Sequence, residues 1–199
     1  LAMDRLHVSD LGLGAILQVN LTTGDRVEVS GPGVGAGDLF DQQEDLWLDE
    51  AAGRLLVLDS DLPAVWSVDL ASGDRSIFYE FRRGTGDRGL VLDAVAVAPQ
   101  GAEAIFGVAR GDAAIIRIAT PSGDRTVLSD AVAGTGPALV DPTDVQSLAP
   151  GGVAGLGGGL LVVDRGLGAL LLVDSATGNR TVLSDGATGA GAPFSDPSG

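Results

Sequence analysis

One short text occurs four times in this chain: Gly-Asp-Arg at 24–26, 73–75 and 123–125, and Gly-Asn-Arg at 178–180. Their glycines stand 49, 50 and 55 residues apart. The flanking text repeats with them, as VSDLGLGAILQVNLTTGDRVEVS (8–30), VLDSDLPAVWSVDLASGDRSIFY (57–79), VARGDAAIIRIATPSGDRTVLS (108–129) and VVDRGLGALLLVDSATGNRTVLS (162–184). Self-similarity at a fixed period means an array of one supersecondary unit, whose copies bury their faces against each other.

Each unit reads as strands. RLHVSD, RLLVLD, AIFGVAR and GLLVVD form one strand of the unit, and AILQVN, AVWSVD, AIIRIA and ALLLVD the next. RVEVS, RSIFY, RTVLS and RTVLS form the last, and LAMD, DLWLD, AVAVA and DVQSL precede the three as an inner strand. The runs are short, rich in Val, Leu and Ile, and bounded by Gly and Asp. No run has helical periodicity over ten residues. The T/S-G-D/N-R element suits a tight hairpin, with Gly taking the positive φ that a right-twisted hairpin demands. LLVLD and LLVVD are apolar at successive positions, so both faces of each sheet are expected to be covered. Four short strands per repeat, covered on both faces, predict an all-β chain of four propeller blades. The expected limits are 1–41, 42–91, 92–142 and 143–199. A long loop follows each blade, and every copy carries Gly-x-Gly, at 35/37, 84/86, 134/136 and 189/191. Neither end reads as a natural terminus. The four units are therefore expected to be a segment of a six- to eight-bladed ring, with closure as four blades the alternative.

Composition narrows the functional classes. Hydrophobic residues make up 45% of the chain, enough for a packed domain, but no apolar run approaches the length of a membrane helix. The formal net charge is -15, which repels phosphate backbones and argues against a nucleic-acid partner. All 12 basic residues are Arg, and Asp outnumbers Glu 22 to 5, as turns favour. A GC-rich genome accounts for the missing Lys; an acidic surface suited to salt-rich or calcium-bearing surroundings is the sharper reading. An extracellular or periplasmic location is the expectation. With no Cys there is no disulfide framework, and with His7 the single His neither a zinc site of the usual kind nor a supported Ser-His-Asp triad is available.

The unit resembles the NHL-type six-bladed propellers, and more loosely the gluconolactonase-like propellers. The resemblance is carried by DPTDV at 141–145, DPSG at 196–199, LLVLDSDLPAVWSVDLASGDR at 55–75 and LLVVDRGLGALLLVDSATGNR at 160–180. What it implies is a propeller architecture. The gluconolactonase-like kinship further implies a divalent metal near the channel and a metal-activated water acting on a lactone or ester. The Glu and Asn ligand motifs of those enzymes have no matching positions here.

Candidate sites follow from the copies. The hairpin arginines Arg26, Arg75, Arg125 and Arg180 recur in every unit, so they are expected to serve the blade by bonding turn carbonyls or a nearby Asp. Asp10, Asp59 and Asp164 end equivalent strands and are expected to accept turn N–H groups. GTGDRG at 84–89 has the form of a dinucleotide fingerprint but is followed by strand text, so loop geometry explains it. Residues just before the inner strands include Glu44, Asp45, Asp93 and Asp144, which could set carboxylates around one axis and hold Ca2+. A solvated acidic rim is the plainer reading. One loop departs from its copies: FYEFRRGTGDR at 78–88 brings Tyr79, Phe81, Arg82, Arg83 and Arg88 to an otherwise acidic body. Arg and aromatic residues together suit an anionic ligand or a protein partner. The expected function is a non-enzymatic binding or assembly module that recognises a protein or small molecule through rim loops. A metal-dependent lactonase- or esterase-like hydrolase and a self-assembling extracellular subunit are the alternatives.

Overall fold

The computed structural model describes residues 4–61, 64–80, 83–86, 92–97, 104–120, 122–148 and 158–198. Their regular structure is strand throughout, apart from one 3-10 turn at Arg110–Asp112. The strands are β1 (Arg5–Asp10), β2 (Ala15–Asn20), β3 (Arg26–Ser30), β4 (Gln43–Asp49), β5 (Arg54–Asp59), β6 (Ala64–Asp69) and β7 (Arg75–Glu80). They continue with β8 (Ala94–Val97), β9 (Ala104–Ala109), β10 (Ala114–Ala119), β11 (Arg125–Ser129), β12 (Pro142–Leu148), β13 (Gly159–Asp164), β14 (Ala169–Val173) and β15 (Arg180–Ser184). Neighbours in sequence pair antiparallel, giving sheets β1-β2-β3, β4-β5-β6-β7, β8-β9-β10-β11 and β12-β13-β14-β15. The fold is a β-propeller of four blades. The inner strand expected at LAMD falls on residues 1–3, outside the described residues. Among the described residues no helix is long and apolar enough to cross a membrane.

The repeated text produces repeated geometry. Gly24, Gly73, Gly123 and Gly178 take φ of 77°, 78°, 80° and 73°, a region where a Cβ is costly, so this hairpin position requires glycine. The residue closing the preceding strand caps the turn: Asp69 accepts from the N–H groups of Ala71 and Ser72, and Asp174 from those of Ala176 and Thr177. Asn20 does the same for Thr22 and Thr23. The last strand pair of every blade carries a bulge at the same place, at Ile16/Leu17, Val65/Trp66, Ile115/Ile116 and Leu170/Leu171.

The chain divides into two compact units, Leu1–Phe81 and Arg82–Gly199, each with two blades. In the first unit, Ile16 and Val29 of one blade pack with Leu55, Val57, Trp66 and Val68 of the next, and Phe40 from the connecting loop joins them. The Phe40 ring meets Trp66 edge-on, with centroids 6.3 Å apart. In the second unit, Phe106, Val108, Ile115 and Leu128 pack with Leu160, Val162, Leu171 and Val173, and Leu139 takes the loop position. These junction residues are buried because the strands are apolar on both faces, as the unbroken Leu and Val runs require.

Candidate functional site

The hairpin arginine turns out to join blades. In the first unit Arg75 is 7% exposed, and its guanidinium reaches into the loop that follows the preceding blade. Nε donates to Asp38 O at 2.8 Å, Nη1 to Ser30 Oγ at 2.7 Å and Val34 O at 3.0 Å, and Nη2 to Gly37 O at 3.1 Å. The backbone follows the same route, with Arg75 N donating to Ala36 O and Ala36 N to Asp74 Oδ1. In the second unit Arg180 donates to Pro137 O, Ser129 Oγ and Ala133 O, and its N–H to Thr135 O. The loop Arg83–Gly86 is seated in the same way, with Arg125 N donating to Thr85 O at 2.9 Å and Thr85 bonded to Asp124. A planar guanidinium with five donors matches a ring of carbonyls that no Lys could satisfy. The expected role, bonding turn carbonyls, holds, but the carbonyls belong to the neighbouring blade's loop.

The Gly-x-Gly of three of the four loops, at 35/37, 84/86 and 134/136, is explained by this contact. A Cβ on Gly35, Gly84 or Gly134 would sit 1.9, 2.2 or 2.1 Å from backbone of the hairpin glycine below it. Thr85 and Thr135 also bond through both N–H and hydroxyl to Asp124 and Asn179. These bonds hold the Asp124 carboxyl below its usual range, the Thr85 hydroxyl first among them.

Strand-end aspartates behave as turn acceptors. Asp59 is fully buried and takes the N–H groups of Asp41 and Gln42. Asp164 takes those of Val140, Asp141 and Leu167. In the third blade Arg110 occupies that place and builds a polar cluster on the rim of the second unit. Its guanidinium bonds Asp141, which also receives Arg165, and Arg165 lies 3.5 Å from Asp196. The Asp141 carboxylate, through its hydrogen bond, raises the Arg110 guanidinium above its ordinary value.

Of the candidate ligand residues, Tyr79 and Arg83 lie among the described residues. Tyr79 lies at the end of β7, 3% exposed, where Ser30 and Ser129 stand in other blades, so it does not reach solvent. Arg83 is exposed, in place of Val34 and Ala133 in the copies. Phe81, Arg82 and Arg88 lie outside the described residues. Glu44 is exposed and accepts from Ser60 Oγ, whereas Asp45 and Asp144 each accept the N–H of the following residue. Asp93 accepts from Arg110 N at 3.2 Å. Among the described residues of either unit no three acidic or His side chains gather as a metal cluster. His7 pairs across the sheet with Gln18 at 3.1 Å, and partial burial, then Arg5, lowers its pKa.

The residues that sequence reading passed over are Ser30 and Ser129, Phe40 and Leu139, and Asp141. The first four were visible as a small hydroxyl and an apolar residue recurring at a fixed distance before and after the loop. Asp141 had no such signal, because its partners come from turns that the repeat does not align.

No known protein family matches the chain, and no curated protein matches it in sequence. Solved structures match its fold. A chain of the nidogen/laminin complex superposes with a TM-score of 0.61 at 15% identity, covering 89% of this chain and 58% of its own length. Virginiamycin B lyase from Staphylococcus aureus superposes with a TM-score of 0.57 at 13% identity, covering 100% and 57%. An auxiliary nutrient binding protein from Bacteroides thetaiotaomicron gives 0.53 at 9%, covering 94% and 56%. The chain thus spans little more than half of each of these structures. At such identities the likeness establishes the propeller fold.

Proposed function

We propose that the chain is a non-enzymatic recognition module of the NHL-like propeller kind, working outside the cytoplasm, whose loop 81–88 grips an acidic protein segment or a small anionic ligand. The observation that carries this reading is Arg83. Every inter-blade loop in the chain is built on the same Gly-x-Gly seat, and this one sets an exposed guanidinium where its copies have Val34 and Ala133. Gly84 and Gly86 rest on the backbone of Gly123 and Arg125, so the base of the loop is fixed before any ligand arrives. A cation beside a preordered base loses less entropy on binding. Arg82 and Arg88, from the sequence, add two more guanidiniums to one short segment of a chain with net charge -15. Among the superposed structures are a nutrient-binding protein and a chain of a nidogen/laminin complex, which supports a recognition role for this architecture.

The test uses the absence of Lys. With 12 arginines and no lysines, the Arg Nε–Hε region of a nitrogen-proton correlation spectrum is uncrowded. Citrate and a hexaglutamate peptide are the probes. Saturable shifts of the Arg83 and Arg88 signals in the unsubstituted chain, with the Arg88 shift lost in the Arg82→Ala/Arg83→Ala variant and its melting curve unchanged, are the expected result. Signals unmoved by either probe at low salt would remove the reading.

A further inference from the structure

The first hairpin departs from its copies at two positions together. Its cap is Asn20 where the second and fourth blades have Asp69 and Asp174. Two residues on, Thr22 stands where those blades have Ala71 and Ala176. The two changes write Asn-Leu-Thr, the acceptor text for an N-linked sugar. The hairpin needs neither of them, because Asp69 and Asp174 cap theirs by taking the N–H of the alanine.

The fold leaves the acceptor groups open. Asn20 Oδ1 accepts the N–H groups of Thr22 at 2.8 Å and Thr23 at 3.0 Å. Its backbone N donates to Asp25 O and its carbonyl accepts from Gly24 N, so the residue is held in place. These bonds use the amide oxygen and leave Nδ2 spare. Residues 20–26 are all exposed. At the cap this exposure belongs to the hairpin and not to the blade's place in the chain. Asp69 and Asp174 are exposed as well, in hairpins whose arginines Arg75 and Arg180 are buried in a neighbouring loop. Their carboxylates bond only within the hairpin, to Ala71 and Ser72 and to Ala176 and Thr177. The residue that meets the neighbouring loop is the one after the glycine, Asp74 or Asn179. A bulky group on the cap therefore stands clear of the seam between blades.

A second Asn-x-Thr, at 179–181, gives the contrast. Asn179 Oδ1 is bonded by the N–H and the hydroxyl of Thr135, and Arg180 is 6% exposed inside that loop. Thr181 is paired with Leu172 in the sheet. That text runs through the seam, whereas Asn20-Leu21-Thr22 lies on a hairpin tip.

We propose that Asn20 is a glycosylation site. Nδ2 attacks the anomeric carbon of a sugar carried on a lipid diphosphate. The bond from that carbon to the diphosphate oxygen breaks, the lipid diphosphate leaves with the electron pair, and Nδ2 gives up one proton. Oδ1 takes no part in the exchange, so the cap survives it. An Asp cap has an oxygen in place of this nitrogen, so the hairpins of Asp69 and Asp174 cannot carry the group. The proposal rests on the location outside the cytoplasm given above and is independent of the ligand reading of loop 81–88.

Trypsin cuts this Lys-free chain only after Arg, so residues 6–26 and 166–180 leave as separate peptides, each with one of the two asparagines. Mass spectrometry of the chain recovered from outside the cells that make it is expected to find 6–26 heavier by a glycan and 166–180 at its bare mass. Asn20→Asp and Thr22→Ala both keep the cap. Each is expected to abolish the glycan and to melt like the enzymatically deglycosylated chain. A bare 6–26 peptide in chain recovered outside the cell overturns the proposal and leaves the location standing. Chain found in the cytoplasm alone overturns both. A glycan that persists in Thr22→Ala, or one carried at Asn179 instead, also overturns the proposal.

Discussion

Arg75 Nη1 lies 2.7 Å from Ser30 Oγ, and the same hydroxyl donates to Gly73 O, so one serine links a strand end to the hairpin of the next blade. Ser129, Arg180 and Gly178 repeat the arrangement in the second unit. Every part of this contact is buried, and it ties residues more than forty positions apart.

That burial sets the cost of losing it. Arg180→Lys leaves several loop carbonyls without a donor, and an ammonium on a flexible stem cannot replace the fork. The expected loss is about 3 kcal/mol, from two charge-assisted bonds of about 1.5–3 kcal/mol each. Arg75→Lys is expected to behave alike. Arg26→Lys, in dilute solution, is expected to change stability by no more than about 0.5 kcal/mol. Urea unfolding of the three variants checks the contrast.

Glycine in the loops separates two costs. In Gly134→Ala the new methyl group would lie 2.1 Å from Gly178 O, at a φ of 77°. Strain of about 1–2 kcal/mol adds to an overlap of about 1–3 kcal/mol. Gly189→Ala meets only Ser184 Oγ at 3.5 Å, and strain of about 1–2 kcal/mol is all that remains. The difference in urea midpoint between the two variants measures the contact between loop and hairpin.

Acid sensitivity is expected from the hairpin caps. The Thr177 hydroxyl and N–H, then the N–H of Ala176, hold the Asp174 carboxyl below its usual range, and the N–H groups of Ser72 and Ala71 do so for Asp69. A carboxyl with a lowered folded pKa stabilises the fold above its unfolded value, about 3.9. That contribution is lost as pH falls through the lower folded value. Asp69→Asn/Asp174→Asn is therefore expected to flatten the fall of Tm in acid while keeping the hairpins closed. Asn20 already caps the first hairpin without charge.

Salt is expected to act in the opposite sense on the rim cluster. Asp141 lies between the guanidiniums of Arg110 and Arg165, so Asp141→Asn leaves two cations facing each other. The variant is expected to melt lower than wild type at low ionic strength and to recover part of the difference in high salt. Melting curves at two salt concentrations decide it.

The blades were legible because their signals are local: a glycine hairpin, β-rich runs and loops of constant text. Arg75 and Arg180 were legible as structural residues because they recur, yet their true partners were hidden, since a backbone carbonyl leaves no mark in the residue it belongs to. Burial was the part of Tyr79 that its chemistry did not announce. It drew notice as an aromatic beside arginines, whereas its alignment with Ser30 and Ser129 goes with a side chain 3% exposed. Arg110 interrupts a series of strand-end aspartates, which made it visible as an outlier. The Asp141 to which it binds could only be found by folding the two turns together.

A join made of backbone carbonyls, glycines, a serine, an apolar loop residue and one recurring guanidinium asks little beyond these of the side chains on either blade. Any copy of the repeat can therefore follow any other, and unequal recombination anywhere in the period regenerates an intact seam. Length variation is then steered away from the seam. The longest spacing in the chain arises from residues 149–158, between β12 and β13, whereas three of the four loops keep ten residues from the strand-end position at 30, 129 or 184 to the apolar residue at 40, 139 or 194. Such a lineage can gain or lose whole blades in single steps, with specificity changing one loop at a time.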